Sequence, residues 1–116
     1  EESQHAVMDE LEWVREDRKL SDAERDRAVN DLIELVVAVD GILQAQAKQD
    51  AEYFLANAAR PFTREEAALV RDKMLKAYRW QYIISGVQVP RFTAVLNGLI
   101  APAQGQRIAS ALATIM

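Results

Sequence analysis

The sequence contains no cysteine, and this absence excludes several kinds of site at once. Disulfides, catalytic thiols, thiolate-bound metals and iron–sulfur clusters all require cysteine. Histidine is almost as scarce, because His5 is the only one. Nucleophile–base catalysis therefore has few side chains to draw on. We assign no catalytic residue from the sequence, and we expect neither a metal nor a cofactor.

His5 is part of the pattern Glu2-x-x-His5, which is half of the carboxylate–histidine spacing used by di-metal helical bundles. Such a site needs a second copy of the pattern and two further glutamates on facing helices. The sequence has no second histidine, and chain termini tend to fray. We therefore expect His5 to be solvated and to bind no metal.

Glycine and proline are also rare, with four glycines and three prolines in 116 residues. Few turn-forming residues indicate few, long elements, which favours helices over many short strands. The glycines stand alone, so no glycine-rich phosphate loop is present. The chain is short enough for one domain. We predict a single all-α domain over residues 1–116, a small helical bundle with three long helices and two short C-terminal ones.

No apolar run approaches the ~18–20 residues that a membrane-spanning helix needs. The best run, Leu32–Leu43, is interrupted by Asp40 and Gly41. We therefore expect a soluble protein without a membrane span. The sequence begins without methionine, so either a cytoplasmic location or export after processing fits it, and the compartment stays open.

The charge is unevenly distributed. Residues 1–52 hold 15 acidic and 6 basic side chains, a net charge of −9, whereas residues 53–116 carry +5. This asymmetry favours two halves that attract each other, either within one chain or between antiparallel subunits. The basic residues form no dense run of the kind that neutralises phosphates. The pattern therefore weighs against nucleic-acid binding.

Apolar residues at three- and four-residue steps predict the helices. Two capping boxes, Ser21 with Glu24 and Thr63 with Glu66, mark two helix starts. The predicted helices run from Ser3 to Leu20, from Asp22 to Ala59, from Arg64 to a left-handed cap near Ser85-Gly86, from Pro90 to Asn97-Gly98, and from Pro102 to the apolar end of the sequence.

The second helix raises a problem of length. An unbroken helix over Asp22–Ala59 would be ~57 Å long at 1.5 Å per residue, whereas a compact domain of this size is ~35 Å across. We expect the helix to bend or split near Gly41, or to project and be covered by a partner. Asp40-Gly41 could also form a hairpin turn, but the helix formers that follow argue against strands.

The most unusual cluster is Tyr78-Arg79-Trp80-Gln81-Tyr82. Three large amphipathic rings, an amide and a guanidinium in five residues are typical of a recognition surface or of a pocket lining. The same residues would also serve as partly buried core residues with solvated polar atoms. The sequence leaves all three interpretations open.

As a function, the sequence favours a non-enzymatic helical module that associates with itself or with a protein partner. Its contact face would be the excess apolar surface of Leu32–Leu43, with Trp80 and Tyr82 as anchors. The alternative is a small-molecule-binding bundle, or a cofactor-free enzyme, with an apolar cavity lined by Tyr78–Tyr82. Catalysis there would depend on tyrosine hydroxyls and Arg79.

Overall fold

The computed structural model describes residues 2–116, and for Glu2 the backbone only. Helices α1 (Glu2–Asp17), α2 (Asp22–Asn57) and α3 (Arg64–Arg79) are long, and helices α4 (Pro90–Leu99) and α5 (Pro102–Ala113) are short. A π-helical segment (Trp80–Ile84) and one α-helical turn (Ser85–Val87) extend α3 without a break. Residues 2–116 contain no strand, which confirms the all-α prediction.

Both predicted capping boxes are present. The Ser21 hydroxyl accepts the amide of Glu24 at 3.2 Å, and the Glu24 carboxylate accepts the amide of Ser21 at 2.7 Å. Thr63 and Glu66 exchange the same pair of bonds at 3.1 and 2.9 Å. Each box satisfies backbone donors that the first turn of a helix leaves unpaired, which fixes where α2 and α3 begin.

Helix α2 is continuous through Asp40 and Gly41, so the second helix is bent rather than split, and no hairpin forms there. A helix of 36 residues is about 54 Å long, close to the longest dimension of the molecule, 57 Å. The Cα radius of gyration is 18.2 Å, against about 13 Å for a compact domain of this length. The molecule is therefore elongated along α2.

The core lies where α3 and the C-terminal residues pack against the middle of α2. Leu43 of α2 is buried there with Ile83, Ile84 and Ile115. The π-helical segment contributes two consecutive buried residues, Ile83 and Ile84, to this core. The apolar end of the sequence thus contributes to the core through Ile115.

Helix α1 contributes no buried residue among those described. It packs on α4, where the rings of Trp13 and Phe92 stack with their centroids 5.7 Å apart. An ion pair joins Glu10 to Arg91 nearby. Helix α1 is therefore held by a small number of side chains.

The end predicted for the third helix differs from the structure. The left-handed cap predicted at Gly86 is wrong: Gly86 lies within the helical turn Ser85–Val87, and no residue of the described chain has a positive φ. Within residues 2–116, no helix combines the length and the apolar character that crossing a membrane requires.

Candidate interaction surface

One face of α2 is mostly apolar and is exposed along its length. It consists of Leu35, Ala38, Ile42, Ala45 and Gln49, which follow each other at steps of three and four residues. We call these five residues the open face. Every one of them is exposed, with Leu35 at 60% and Ile42 at 68% of their full accessibility. Such spacing places all five side chains along one side of the helix.

The open face lies opposite the side of α2 that packs in the core. Successive helical residues turn by about 100°, so Ala45 points about half a turn away from Leu43 and Ala47. Both of those residues are buried. Helix α2 is therefore apolar on two opposite sides, and its own chain covers only one of them.

The predicted segment Tyr78–Tyr82 lies at the junction of α3 and the π-helical segment. Trp80 and Tyr82 are both more than half exposed, and Gln81 is exposed as well. Three of the five predicted residues are thus on the surface. π-Helical turns are frequent at functional sites, but this one also contributes Ile83 and Ile84 to the core.

Tyr78 is half-buried and joins α3 to α2. Its hydroxyl donates a hydrogen bond to the carboxylate of Asp50, which also accepts the Gln46 amide at 2.9 Å. The hydrogen bond from Tyr78 lowers the pKa of Asp50, and it raises the pKa of Tyr78 in return. The rings of Tyr78 and Tyr82 meet edge to face, 6.1 Å apart. Tyr82 therefore lies beside a side chain that is fixed to α2.

Arg79 is bound to Asp40 rather than exposed. Its Nε and Nη2 atoms donate to the two carboxylate oxygens at 2.6 and 2.8 Å, and Gln44 donates to the same carboxylate at 2.7 Å. Asp40 is 4% exposed. The hydrogen bond from Arg79 holds the pKa of Asp40 below its usual value despite this burial, and it raises the pKa of Arg79. The guanidinium is committed to this structural contact.

The Asp40–Arg79 pair was not found from the sequence. Asp40 lies at helical spacing with Val29 and Leu43, which are buried, and with Val36, which is partly buried. An aspartate on a buried helix face needs a cationic or hydrogen-bonding partner. The helical spacing of Asp40 with these residues could have indicated a buried, paired aspartate. That interpretation fits Asp40 better than a hairpin turn does.

An apolar pocket lies elsewhere, between α2, α4 and α5. Its volume is about 180 Å³, and its lining includes Leu32, Ile33, Phe92, Leu96 and Ile108. No residue of the segment 78–82 lines it. The cavity and the aromatic segment are therefore separate features.

Metal-binding geometry is lacking in the part of the chain described. Residues 2–116 contain no group of three or more His, Asp or Glu side chains that could hold an ion. His5 lies on the exposed surface of α1. The pairing of Glu2 with His5 falls outside the description, because the side chain of Glu2 is not described.

Comparison with known proteins found no relative. A scan against models of protein families gave no match, and neither the curated proteins nor the solved structures contained one similar to this chain.

Proposed function

We propose that this protein is a helical module that associates with itself through the open face of α2. The observation that supports this most is the exposure of Leu35 and Ile42 on a helix that is already buried on its other side. Burying one large aliphatic side chain is worth roughly 1.5–3 kcal/mol. A row of them left in water on one helix favours a protein contact.

The shape of the molecule gives a second argument. With a radius of gyration of 18.2 Å, the chain encloses little of its longest helix. A helix that runs the length of an elongated molecule becomes enclosed when a second one lies along it, as in helical bundles. Trp80 and Tyr82 are exposed as well, but they follow α3 on the other side of α2 and lie outside this contact.

The experiment compares two double variants by sedimentation. Leu35→Gln with Ile42→Gln removes the large side chains of the open face. Val37→Gln with Leu69→Gln is the matched control, because Val37 and Leu69 are 57% and 56% exposed but lie off the open face. We expect the first variant to weaken self-association roughly a hundredfold or more, since several buried aliphatic side chains are lost per contact.

The control variant should associate as the parent chain does, within about twofold, because single exposed apolar residues away from an interface contribute little. Equal weakening by both variants would mean that general hydrophobicity, not the open face, drives association. A parent chain that remains a monomer at micromolar concentration would contradict the proposal itself.

A second candidate function is the binding of a small apolar molecule. The cavity lined by Leu32, Phe92 and Ile108 supports it, since about 180 Å³ exceeds the roughly 150 Å³ of a dry engineered cavity that binds benzene. We expect benzene or indole to raise the melting temperature of the parent chain. Ala109→Phe, which would fill the cavity, should abolish that rise. A melting temperature unchanged by either compound would contradict this candidate.

A further inference from the structure

No contact among the described residues explains why position 41 is a glycine. It lies in the middle of α2 with a helical backbone, and a Cβ atom placed there would meet nothing within 4 Å. Glycine in the interior of a helix is destabilising relative to alanine. Close approach of another backbone is one reason to have it, and no other part of this chain approaches. Gly41 directly precedes Ile42 of the open face.

The open face repeats every seven residues. Leu35 and Ile42 are seven apart, and so are Ala38 and Ala45. A seven-residue repeat with alternating steps of three and four is the pattern by which two helices pack side by side. If the second helix runs antiparallel, each large residue can lie opposite a small one, which fills the space between the helices without voids.

We propose that the occupant of the open face is α2 of a second copy, running antiparallel, with the two-fold axis level with the Asp40–Gly41 peptide. In this register Leu35 packs on Ala45 of the other copy, and Ala38 packs on Ile42, each contact occurring twice. The proposal rests on the proposed self-association and specifies its geometry. Helix α3 lies on the opposite side of α2 and does not obstruct the second copy.

Two charged residues beside the open face support the same register. Glu34 and Lys48 lie seven residues to either side of Gly41, and both are exposed. Around a two-fold axis level with the Asp40–Gly41 peptide, Glu34 of each copy lies within one residue, about 1.5 Å along the helix, of Lys48 of the other. Within one chain the two are about 21 Å apart along the helix, so they cannot pair there.

Neighbouring registers are less favourable. Moving one copy by seven residues in one direction brings Arg27 opposite Lys48, which places like charges together. Moving it the other way brings Glu34 opposite Leu55 and separates Leu35 from Ala45. Of these registers, only the one centred on the Asp40–Gly41 peptide combines the opposite charges with all four large-on-small contacts.

The first test uses the lack of cysteine in the natural chain. Gly41→Cys and Lys48→Cys each introduce a single thiol at an exposed position. Because the first adds a side chain at the helix contact and the second removes one partner of the ion pair, both are cross-linked at a concentration at which sedimentation shows the variant to be dimeric. A short bismaleimide should join two copies of the first variant into a covalent dimer. It should leave the second unjoined, because the two Lys48 positions would be about 21 Å apart in an antiparallel pair. A parallel pair would be joined at both positions.

The second test reverses the charges. Glu34→Lys and Lys48→Glu should each weaken dimerisation about tenfold, since each creates two pairs of like charges in place of two ion pairs. The double variant should return to within about threefold of the parent. Far-UV circular dichroism of each variant reports that the helices are intact.

The outcomes separate the geometry from the function. A dimer in which Lys48→Cys is joined as readily as Gly41→Cys, or in which the two reversals are additive, would overturn the antiparallel register and leave self-association standing. A parent chain that stays monomeric would overturn both proposals. Selective joining at position 41 together with recovery in the double variant is the result that we expect.

Discussion

At the scale of single residues, the Asp40–Arg79 pair shows why the middle of α2 remains helical. Asp40 would be an unfavourable residue on a buried helix face, but the fork of Arg79 and the amide of Gln44 satisfy both of its carboxylate oxygens. A bidentate pair of this kind fixes the relative position of two helices as well as compensating the buried charge. The same contact removes Arg79 from the set of groups available to a ligand.

Arg79→Met should therefore destabilise the chain. Removing one partner leaves a buried carboxylate uncompensated, which costs about 3 kcal/mol or more. Asp40→Leu combined with Arg79→Met removes both charges, so most of the loss should be recovered. Urea unfolding followed by circular dichroism measures both free energies. Equal destabilisation in the single and the double variant would contradict this account of the pair.

Lowering the pH should reduce the stabilisation that the Asp40–Arg79 pair provides. Because the pKa of Asp40 is lower in the folded chain than its usual value, the unfolded state binds the proton more readily. The stabilisation is thus complete above the unfolded pKa, about 3.9, and is lost as the pH falls through the folded pKa. The informative range is pH 5 to pH 3, on the order of one unit either side of that value. Over this range the free energy of unfolding of the parent should fall by more than that of the double variant Asp40→Leu with Arg79→Met, which lacks both charges. Parallel pH profiles would contradict this prediction.

At the scale of helices, the capping residues determine where α2 starts. Ser21→Ala should cost about 1 kcal/mol, because the hydroxyl satisfies a backbone donor that alanine cannot. Ser21→Asp is the matched control and should retain the stability, since a carboxylate caps the same donor and favours the helix dipole. Thermal unfolding of the three chains compares them. A loss in both variants would mean that the cap is not the cause.

Helix α1 should be less protected from amide exchange than the middle of α2. None of its described residues is buried, and its main contact is the stacking of Trp13 on Phe92. Segments with few buried contacts open at low free energy. Amide hydrogen exchange should be faster in α1 than in the part of α2 around Leu43. Trp13→Ala should accelerate exchange in α1 alone, and slow exchange throughout α1 in the parent would contradict this prediction.

The helices could be predicted because their signals are local. Ser21 with Glu24 and Thr63 with Glu66 are capping boxes within four residues, and helical spacing of apolar residues is equally local. What could not be predicted depends on distant residues or on small shifts in register. Asp40 and Arg79 are 39 residues apart, and nothing near Trp80 marks a π-helical turn. The left-handed cap at Gly86 was wrong because helical packing continued through that glycine.

The candidate surface was predicted in part. Exposed apolar residues in Leu32–Leu43 were expected, and Leu35, Val37 and Ile42 are exposed. For Trp80 and Tyr82 the sequence left burial and exposure open, and both rings are exposed. To predict that the open face is limited to one side of α2, one would have to know which side α3 covers. That choice depends on the partners of Asp40 and Leu43, which the sequence alone does not identify.

At the scale of the whole molecule, the great length of α2 and the small size of the core go together, because much of α2 lies outside the core. A chain of 116 residues can enclose a bundle of helices about half as long as α2, and here one helix extends over 36 residues. A paired α2 would turn two elongated chains into one thicker bundle.

The most direct measurement is the mass of the unmodified chain by sedimentation equilibrium across the micromolar range. We predict twice the 13.1 kDa of a single chain, decreasing toward that value on dilution, as for a reversible dimer. A mass of 13.1 kDa at every concentration would contradict the claim that the exposed side of α2 is covered by another copy.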